Sequence, residues 1–373
     1  MTSDKVGEQF SGRILEDLTT YFGINALSIG CDLNLFSHIA EKGEEGITPE
    51  ELADKSSCNL RCIVEWLECC ATNNYLSLKE NGRFYIHPGH ATVLLNNKSP
   101  LYQRAWLKFI PGVSRCYESL VDGFKTGNGV PYEDYGMDCV RSIRENDETL
   151  YENNLSQVIM PAFPELHEKF IKEGGTVCDV GCGSGPLSIL FARVYDKVNV
   201  VGVDIDERSI EEAEISLSKE SKSVQKRVKF IMKPFEEIEE DVHSFDMIVF
   251  FLALHDIPDP AKSLTMAKKF VKANTGRVGI LEINVHDNIH DICLQPGVRP
   301  PSVEENPSSV FGRLAYGFSV VHCLHCTMSQ PHEHAAGTAF SRKKIAAQAK
   351  KAGFQNVEFA CNVQGAFNVY KVY

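Results

Sequence analysis

The residues best suited to chemistry lie in the run Val177-Cys-Asp-Val-Gly-Cys-Gly-Ser-Gly185. It reads as a buried strand, a glycine-rich turn and the start of a helix over Pro186–Val194. Asp179 closes the strand. Gly181, Gly183 and Gly185 follow at alternate positions, with Cys182 between the first two. Glycine lets the backbone turn tightly and approach a ligand with no side chain between. A second apolar run, Val198-Asn-Val-Val-Gly-Val-Asp204, also ends in an acid. In an open α/β sheet such an acid can accept hydrogen bonds from ribose hydroxyls at the rim of the same crevice. The order acid-x-Gly-x-Gly-x-Gly differs from the Gly-x-Gly-x-x-Gly of pyrophosphate binders. It suits a nucleoside with a cationic amino-acid tail rather than a diphosphate.

Two other places offer proton or ligand chemistry. Phe245-Asp-Met-Ile-Val-Phe250 reads as a fourth strand, followed by Leu254-His-Asp-Ile-Pro-Asp-Pro260. His255 therefore falls at the carboxyl edge, where such sheets bind ligands. Histidine suits a general base near neutral pH. The plainer alternative is that it caps the loop or bonds Asp256. Residues 322–334 read His-Cys-Leu-His-Cys-Thr-Met-Ser-Gln-Pro-His-Glu-His. A zinc site needs about four ligands on convergent faces. Pocket lining or helix packing is the favoured reading and no metal is expected. A thiol-rich wall would suit a thiol, selenol or arsenical acceptor. The insert His286–Thr338 is long enough to build it.

Around these residues the chain falls into three zones: 1–100, 101–165 and 166–373. In the first, Ile14, Leu18, Phe22, Ala26 and Leu27 recur at helical spacing. Thr48-Pro-Glu-Glu-Leu-Ala has an N-cap, a proline at the first helical position and acids in the first turn. Asn59–Asn73 predicts another helix. Tyr75–Leu78 and Arg83–Ile86 then flank a hairpin turn. Helix, helix, helix, hairpin is a winged-helix layout. Acids outnumber bases here, and the helix that would meet DNA carries Glu65 and Glu68, so a dimerisation and packing role is favoured. The middle zone is helical, broken by Thr126–Gly136. This loop bears Tyr132 and Tyr135 and reads equally as a connector or as a lid over a ligand. The last zone alternates strand and helix. Strands near 176–180, 198–203, 228–232, 245–251 and 277–283 predict a parallel doubly wound sheet. Val357–Ala360 and Phe367–Val372 predict an antiparallel pair at its edge.

Composition narrows the partners. The 373 residues, 43% hydrophobic and 24% charged, fit a soluble globular chain with room for two domains. No stretch approaches the ~20 apolar residues of a membrane span, and the first residues resemble no signal segment. Thirteen cysteines, odd in number and scattered, fit a reducing cytoplasm. A net charge of −12 disfavours a nucleic-acid substrate.

Asp179–Gly185, Asp204, the fourth strand with Leu254–Pro260 and the closing strand pair together resemble the class I S-adenosylmethionine-dependent methyltransferases. Glu50–Ala53, Val64–Leu67, Gly129–Gly136, Tyr316–Cys323, Gly337-Thr338 and Ala352–Phe354 are similar to a subgroup with an N-terminal winged helix, mostly small-molecule methyltransferases. The resemblance implies a seven-stranded Rossmann-like sheet with an antiparallel last strand, S-adenosyl-L-methionine as cofactor, a small hydroxyl or thiol acceptor and a homodimer. It also assigns roles. Asp179, Gly181, Cys182, Gly183 and Gly185 would line the methionine end, Asp204 the ribose and Ile205 the adenine. The usual acid after the third strand is missing from Ile231–Phe235, so the backbone at Phe235 would replace it, with Phe250 also on the cofactor side. Plant-type small-molecule O-methyltransferases carry a similar His-Asp pair and use the histidine as base, which points to His255. Tyr132, Tyr135, Tyr316, His322, Cys323 and His325 would wall the acceptor. The rival reading is a non-enzymatic cofactor-sensing or DNA-binding regulator that uses the winged helix.

Overall fold

The computed structural model describes residues 3–291, 293, 300–331 and 335–373, and the chain divides into two units. The first runs to Ser114 and takes in Met137–Thr149. It opens with α1 (Ser3–Asp32), α2 (Leu35–Ala40), α3 (Pro49–Ser56) and α4 (Leu60–Thr72). α3 starts as its sequence predicts. Glu51 N–H donates to Thr48 Oγ1 at 3.2 Å, and Thr48 N–H donates to Glu51 Oε2 at 3.0 Å. Two otherwise orphaned donors are thereby satisfied, and Pro49 sits where no N–H is needed. β1 (Ser77–Leu78) and β2 (Phe84–Tyr85) pair antiparallel, as a shorter hairpin than the sequence predicts, and Ile47 bridges to Phe84. α5 (Pro88–Leu95) and α6 (Arg104–Arg115) follow. Trp66 fastens α4 to α1, its Nε1 donating to the Ala26 carbonyl at 2.8 Å. A Cβ on Gly30 would come within 2.3 Å of the Trp66 ring, so glycine sets this close approach. Further along α1 the apolar stripe of Phe10, Ile14, Leu18 and Phe22 is exposed.

The second unit carries α7 (Tyr117–Thr126), the ends of α8 (Gly136–Asn154) and α9 (Pro164–Lys172). Strands and helices then alternate: β3 (Gly175–Val180), α10 (Pro186–Val194), β4 (Val198–Asp204), α11 (Glu207–Ser218), α12 (Lys222–Gln225), β5 (Val228–Met232), β6 (Met247–Phe251), α13 (Pro260–Phe270) and β7 (Arg277–Ile283). α14 (Pro307–Phe318), α15 (Leu324–Met328), α16 (Arg342–Lys351), β8 (Val357–Val363) and β9 (Phe367–Val372) complete it. The sheet runs β5-β4-β3-β6-β7-β9-β8. β3 to β7 are parallel, and β9 enters antiparallel between β7 and β8. Successive residues feed two cores, one per face. Val177, Met247 and Val249 join Phe191 on one side, while Cys178, Ile248 and Phe250 join Leu264 on the other. A central parallel strand covered on both faces must be apolar throughout, and all five residues of β6 are buried. The strand order reverses at β3, which is flanked by β4 and β6. At such a switch point open α/β sheets bind ligands in the crevice outside the carboxyl ends of the strands, here β3, β4 and β6.

One buried charge sits at the opposite end of the same strands. Asp246 accepts from Thr176 N–H at 2.9 Å, from Lys272 Nζ at 2.9 Å and from Lys169 Nζ. Burial works to raise its carboxyl, but the two lysines and the amide outweigh it and hold the group below the ordinary 3.8. Its contribution is therefore present above the unfolded-state value near 3.8 and fades as pH falls through the lower folded value. The lysines are partly exposed, which limits the pair's worth. Asp246→Ala should cost roughly 2 kcal/mol at pH 7, since it orphans a buried amide and two cations. In urea unfolding the gap between wild type and variant should close below about pH 4. A gap unchanged down to pH 3 would contradict this.

Candidate functional site

The glycine loop follows β3 directly. Gly181 and Cys182 both donate backbone N–H groups to the Val203 carbonyl, at 2.8 and 3.1 Å, and Gly185 N–H donates to Cys182 O at 2.9 Å. All three glycines have positive φ, +69°, +53° and +76°. Two are also sterically required. A Cβ on Gly181 would lie 2.5 Å from that of Ala253, and one on Gly185 would lie 2.5 Å from the Phe230 ring. Gly183 differs: a Cβ there would meet nothing within 4 Å, so the loop faces open space at this point. Asp204 holds the loop from the side, accepting Gly183 N–H at 2.8 Å and Asp206 N–H at 2.9 Å.

Carboxylates dominate this crevice. Asp179 is buried and accepts from Ser188 Oγ at 2.7 Å. Burial, and secondarily the nearby charge of Asp204, push its carboxyl up to about 7. Burial also raises Asp204. Two acids short of a counter-charge fit a cationic ligand group far better than a phosphate. Ile205, 52% exposed, stands at the rim. The side chain of Phe250, expected on the cofactor side, and that of Phe235, of which only the backbone was expected there, both point inward. Both are buried in the core and pack edge to face with centroids 5.8 Å apart, so their side chains are not crevice wall. Cys182 is likewise buried beneath the loop.

The turn after β6 touches this loop through Ala253. It begins at Leu252, whose φ of +54° is unusual for a branched residue and marks local strain. His255 follows, 3% exposed. Glu282 of β7, the neighbouring strand, grips it twice: His255 Nδ1 lies 2.6 Å from Oε2, and the His255 backbone N–H donates to Oε1 at 3.2 Å. Nε2 lies 3.4 Å from Asp256 Oδ2. Burial alone would depress the imidazole, but Asp256 and Glu282 outweigh it and hold His255 well above its ordinary range. The Glu282 carboxyl is raised in turn, by burial first. The arrangement leaves one ring nitrogen fixed and Nε2 available to exchange a proton.

α14 and α15 are joined through a π-helical turn, Ser319–Cys323. Such turns often mark functional positions, and this one carries two of the expected residues. Cys323 faces His255, and burial pushes its thiol up to about 11. His322 Nδ1 lies 3.4 Å from Cys323 Sγ, and burial pushes the imidazole down to about 4, so it is neutral. Rings enclose His322: Tyr135 at 4.5 Å, Tyr132 at 5.7 Å and Phe318 at 5.9 Å between centroids. Tyr132 also receives the Arg208 guanidinium at 5.5 Å, and Arg208 Nη1 donates to Glu133 O at 3.1 Å. The 131–135 segment thus spans from α11, beside Asp204, to His322.

The structure brings Tyr132, Tyr135, His322 and Cys323 together, with Cys323 beside His255. Tyr135, however, is fully buried and spends its hydroxyl on the Val321 carbonyl at 2.9 Å, so it supports the wall rather than offering a free donor. His325 is turned elsewhere. It packs on Phe124 at 5.1 Å, and a Cβ on Gly123 would sit 2.9 Å from its Nδ1. Tyr316 is half-buried on α14. Residues 332–334, the end of the histidine-rich run, lie outside the described residues. The sequence reading missed Glu282. Its signal was an acid inside the apolar strand Val278-Gly-Ile-Leu-Glu-Ile283, where only a partnered carboxylate survives burial.

Residues 171–308 match the family described as Methyltransferase domain. Among curated proteins, the chain is similar to ribosomal protein L11 methyltransferase of Thermotoga petrophila, 38% identical over 22% of this chain and 28% of that protein. The Aquifex aeolicus protein of the same name is 42% identical over 24% and 33%. An uncharacterized methyltransferase of Schizosaccharomyces pombe is 24% identical over 41% and 57%. The chain therefore spans between about a quarter and just over half the length of these relatives. Among solved structures, a putative O-methyltransferase from Nostoc punctiforme aligns over 97% of this chain and 98% of its own, with TM-score 0.70 and 15% identity. Human N-acetylserotonin methyltransferase, solved in complex with SAM, aligns over 97% of each chain with TM-score 0.69 and 17% identity. The strand order and the solved neighbours give the sheet-bearing unit the fold of these methyltransferase structures, and residues 171–308 within it match the Methyltransferase domain family.

Proposed function

We propose that the protein is an S-adenosylmethionine-dependent methyltransferase acting on a hydroxyl or thiol of a small molecule. The observation that carries this reading is the contact between the glycine loop and the turn bearing the His255–Glu282 pair. A cofactor crevice and a proton-accepting group share one edge of the sheet. Gly181–Gly185 and Asp179 would hold the cationic amino-acid end, Asp204 the ribose, and Ile205 the adenine. Free space at Gly183 and the two cation-short carboxylates support that fit. The bound cofactor supplies an already activated methyl group. The chain's own task is then orientation, which can be worth several kcal/mol, and removal of the acceptor proton. His255 Nε2 would take that proton while Glu282 fixes the tautomer at Nδ1. Tyr132, Tyr316, His322 and Cys323 would wall the acceptor, the aromatic rings favouring a flat or apolar body. A buried, carboxylate-held histidine supports catalysis over a non-enzymatic regulator.

Two variants separate binding from chemistry. Asp204→Ala should weaken cofactor binding by ~1–3 kcal/mol in calorimetry, because ribose hydroxyls lose their acceptor. His255→Ala should leave that affinity near wild type. Its single-turnover transfer, with an acceptor identified from a metabolite extract by gained mass, should slow ~10²-fold or more. Unchanged affinity in the first variant, or an unchanged rate in the second, would refute the corresponding assignment.

The winged-helix arrangement proposed for the first unit gives it a role in self-association. Exposed Phe10, Leu15, Leu18 and Phe22 on α1 need cover, and a two-fold partner is the commonest kind. All thirteen cysteines are free, which supports a reducing, cytoplasmic setting. Among the described residues no helix is long and apolar enough to cross a membrane. Light scattering at micromolar concentration should report twice the chain mass, and Leu18→Glu combined with Phe22→Glu should halve it. A wild-type monomer would overturn the dimer.

A further inference from the structure

We infer that His255, Asp256 and Cys323 form a binding site for zinc or a similar borderline-soft divalent cation, and that occupancy of this site blocks methyl transfer. One ligand atom from each of the three residues lies within 4.8 Å of the others. Tetrahedral zinc with nitrogen and oxygen ligands at about 2.0–2.1 Å places those ligands roughly 3.3 Å apart. His255 Nε2 and Asp256 Oδ2 stand 3.4 Å apart without any adjustment.

Two independent features point the same way. Glu282 already occupies His255 Nδ1 at 2.6 Å, the outer carboxylate contact that orients metal-bound histidines and leaves Nε2 to the ion. Asp256 Oδ1 is buried with no hydrogen-bond partner, although a buried carboxylate oxygen ordinarily has one. The donor set of nitrogen, sulfur and carboxylate oxygen selects zinc over magnesium or calcium. Asp256 is half-buried, which gives an ion a way in. As the metal binds, the Cys323 thiol proton and the His255 Nε2 proton both leave to solvent. Three protein ligands leave the fourth position to water.

The blocking effect rests on the base role proposed for His255; the site itself does not. Nε2 cannot hold a metal ion and accept a proton from the acceptor at once.

The test uses the full chain, stripped of metal in reducing buffer, and Co²⁺ as the probe. Titration without cofactor or acceptor should produce a near-ultraviolet thiolate-to-cobalt band and strong visible absorption of four-coordinate cobalt, both displaced by Zn²⁺. Cys323→Ser should abolish the near-ultraviolet band. Asp256→Asn should weaken binding at least tenfold, with circular dichroism confirming that both variants fold. No band in wild type, or a band that persists in Cys323→Ser, would overturn the site. In transfer assays Zn²⁺ should slow wild type at least tenfold, and the ratio of rates with and without zinc should approach one in Cys323→Ser. Zinc that accelerates transfer would overturn the blocking role. A His255→Ala protein that transfers methyl at the wild-type rate in metal-free buffer would remove the base while leaving the cobalt result standing.

Discussion

The site depends on a carboxyl group placed where a parallel sheet should carry only apolar side chains. Glu282 is 1% exposed, in a stretch, Val278–Ile283, otherwise built from valine, isoleucine, leucine and glycine. An unpartnered charge there would cost several kcal/mol or be neutralised. His255 removes that cost by offering a ring nitrogen and a backbone N–H to the same carboxylate. The requirement runs in both directions. A buried imidazole would drift toward its neutral, weakly basic form, and the acids hold it up. The pair therefore fixes the end of β7 against the turn after β6 and helps set the basicity of Nε2, the nitrogen that faces Asp256.

That turn also limits the glycine loop. Ala253 lies so near Gly181 that no side chain fits between them, so the loop's path after β3 and the turn's path after β6 are set together. Leu252 adopts a left-handed conformation to make the corner. The strain falls where the strand order reverses, the position at which open α/β sheets form ligand crevices. Above it, the π turn in α14–α15 points His322 and Cys323 toward His255 rather than along a regular helical face. His325, one turn on, packs on Phe124 instead.

Much of this was legible in the chain. The strand–helix alternation, the glycine spacing and the acids Asp179 and Asp204 predicted the sheet and its crevice, because backbone constraints leave a local signature. The N-cap at Thr48 and the helix at Asn59–Asn73 were visible for the same reason. What failed depended on distant partners. Phe250 reads as a strand-end aromatic, and only its packing on Phe235 shows it to be core. Tyr135 was expected to wall the acceptor, yet its hydroxyl is spent on a carbonyl nearly two hundred residues away. The cluster around residue 322 gave no sign of the π turn that carries His322 and Cys323. Glu282 was visible as an anomaly, but its meaning required knowing that β6 and β7 are neighbours.

The pH dependence of single-turnover methyl transfer in wild type and Glu282→Gln tests the central claim most directly. A base works only when unprotonated. With His255 held above the ordinary imidazole value of 6.5, the wild-type rate should climb across a limb that lies above that value. Removing the Glu282 charge takes away one of the groups that raise the imidazole. The limb should therefore move to lower pH, and the plateau should fall as Nδ1 loses its anionic partner. A limb that stays in place in Glu282→Gln, or one that survives in His255→Ala, would contradict the account.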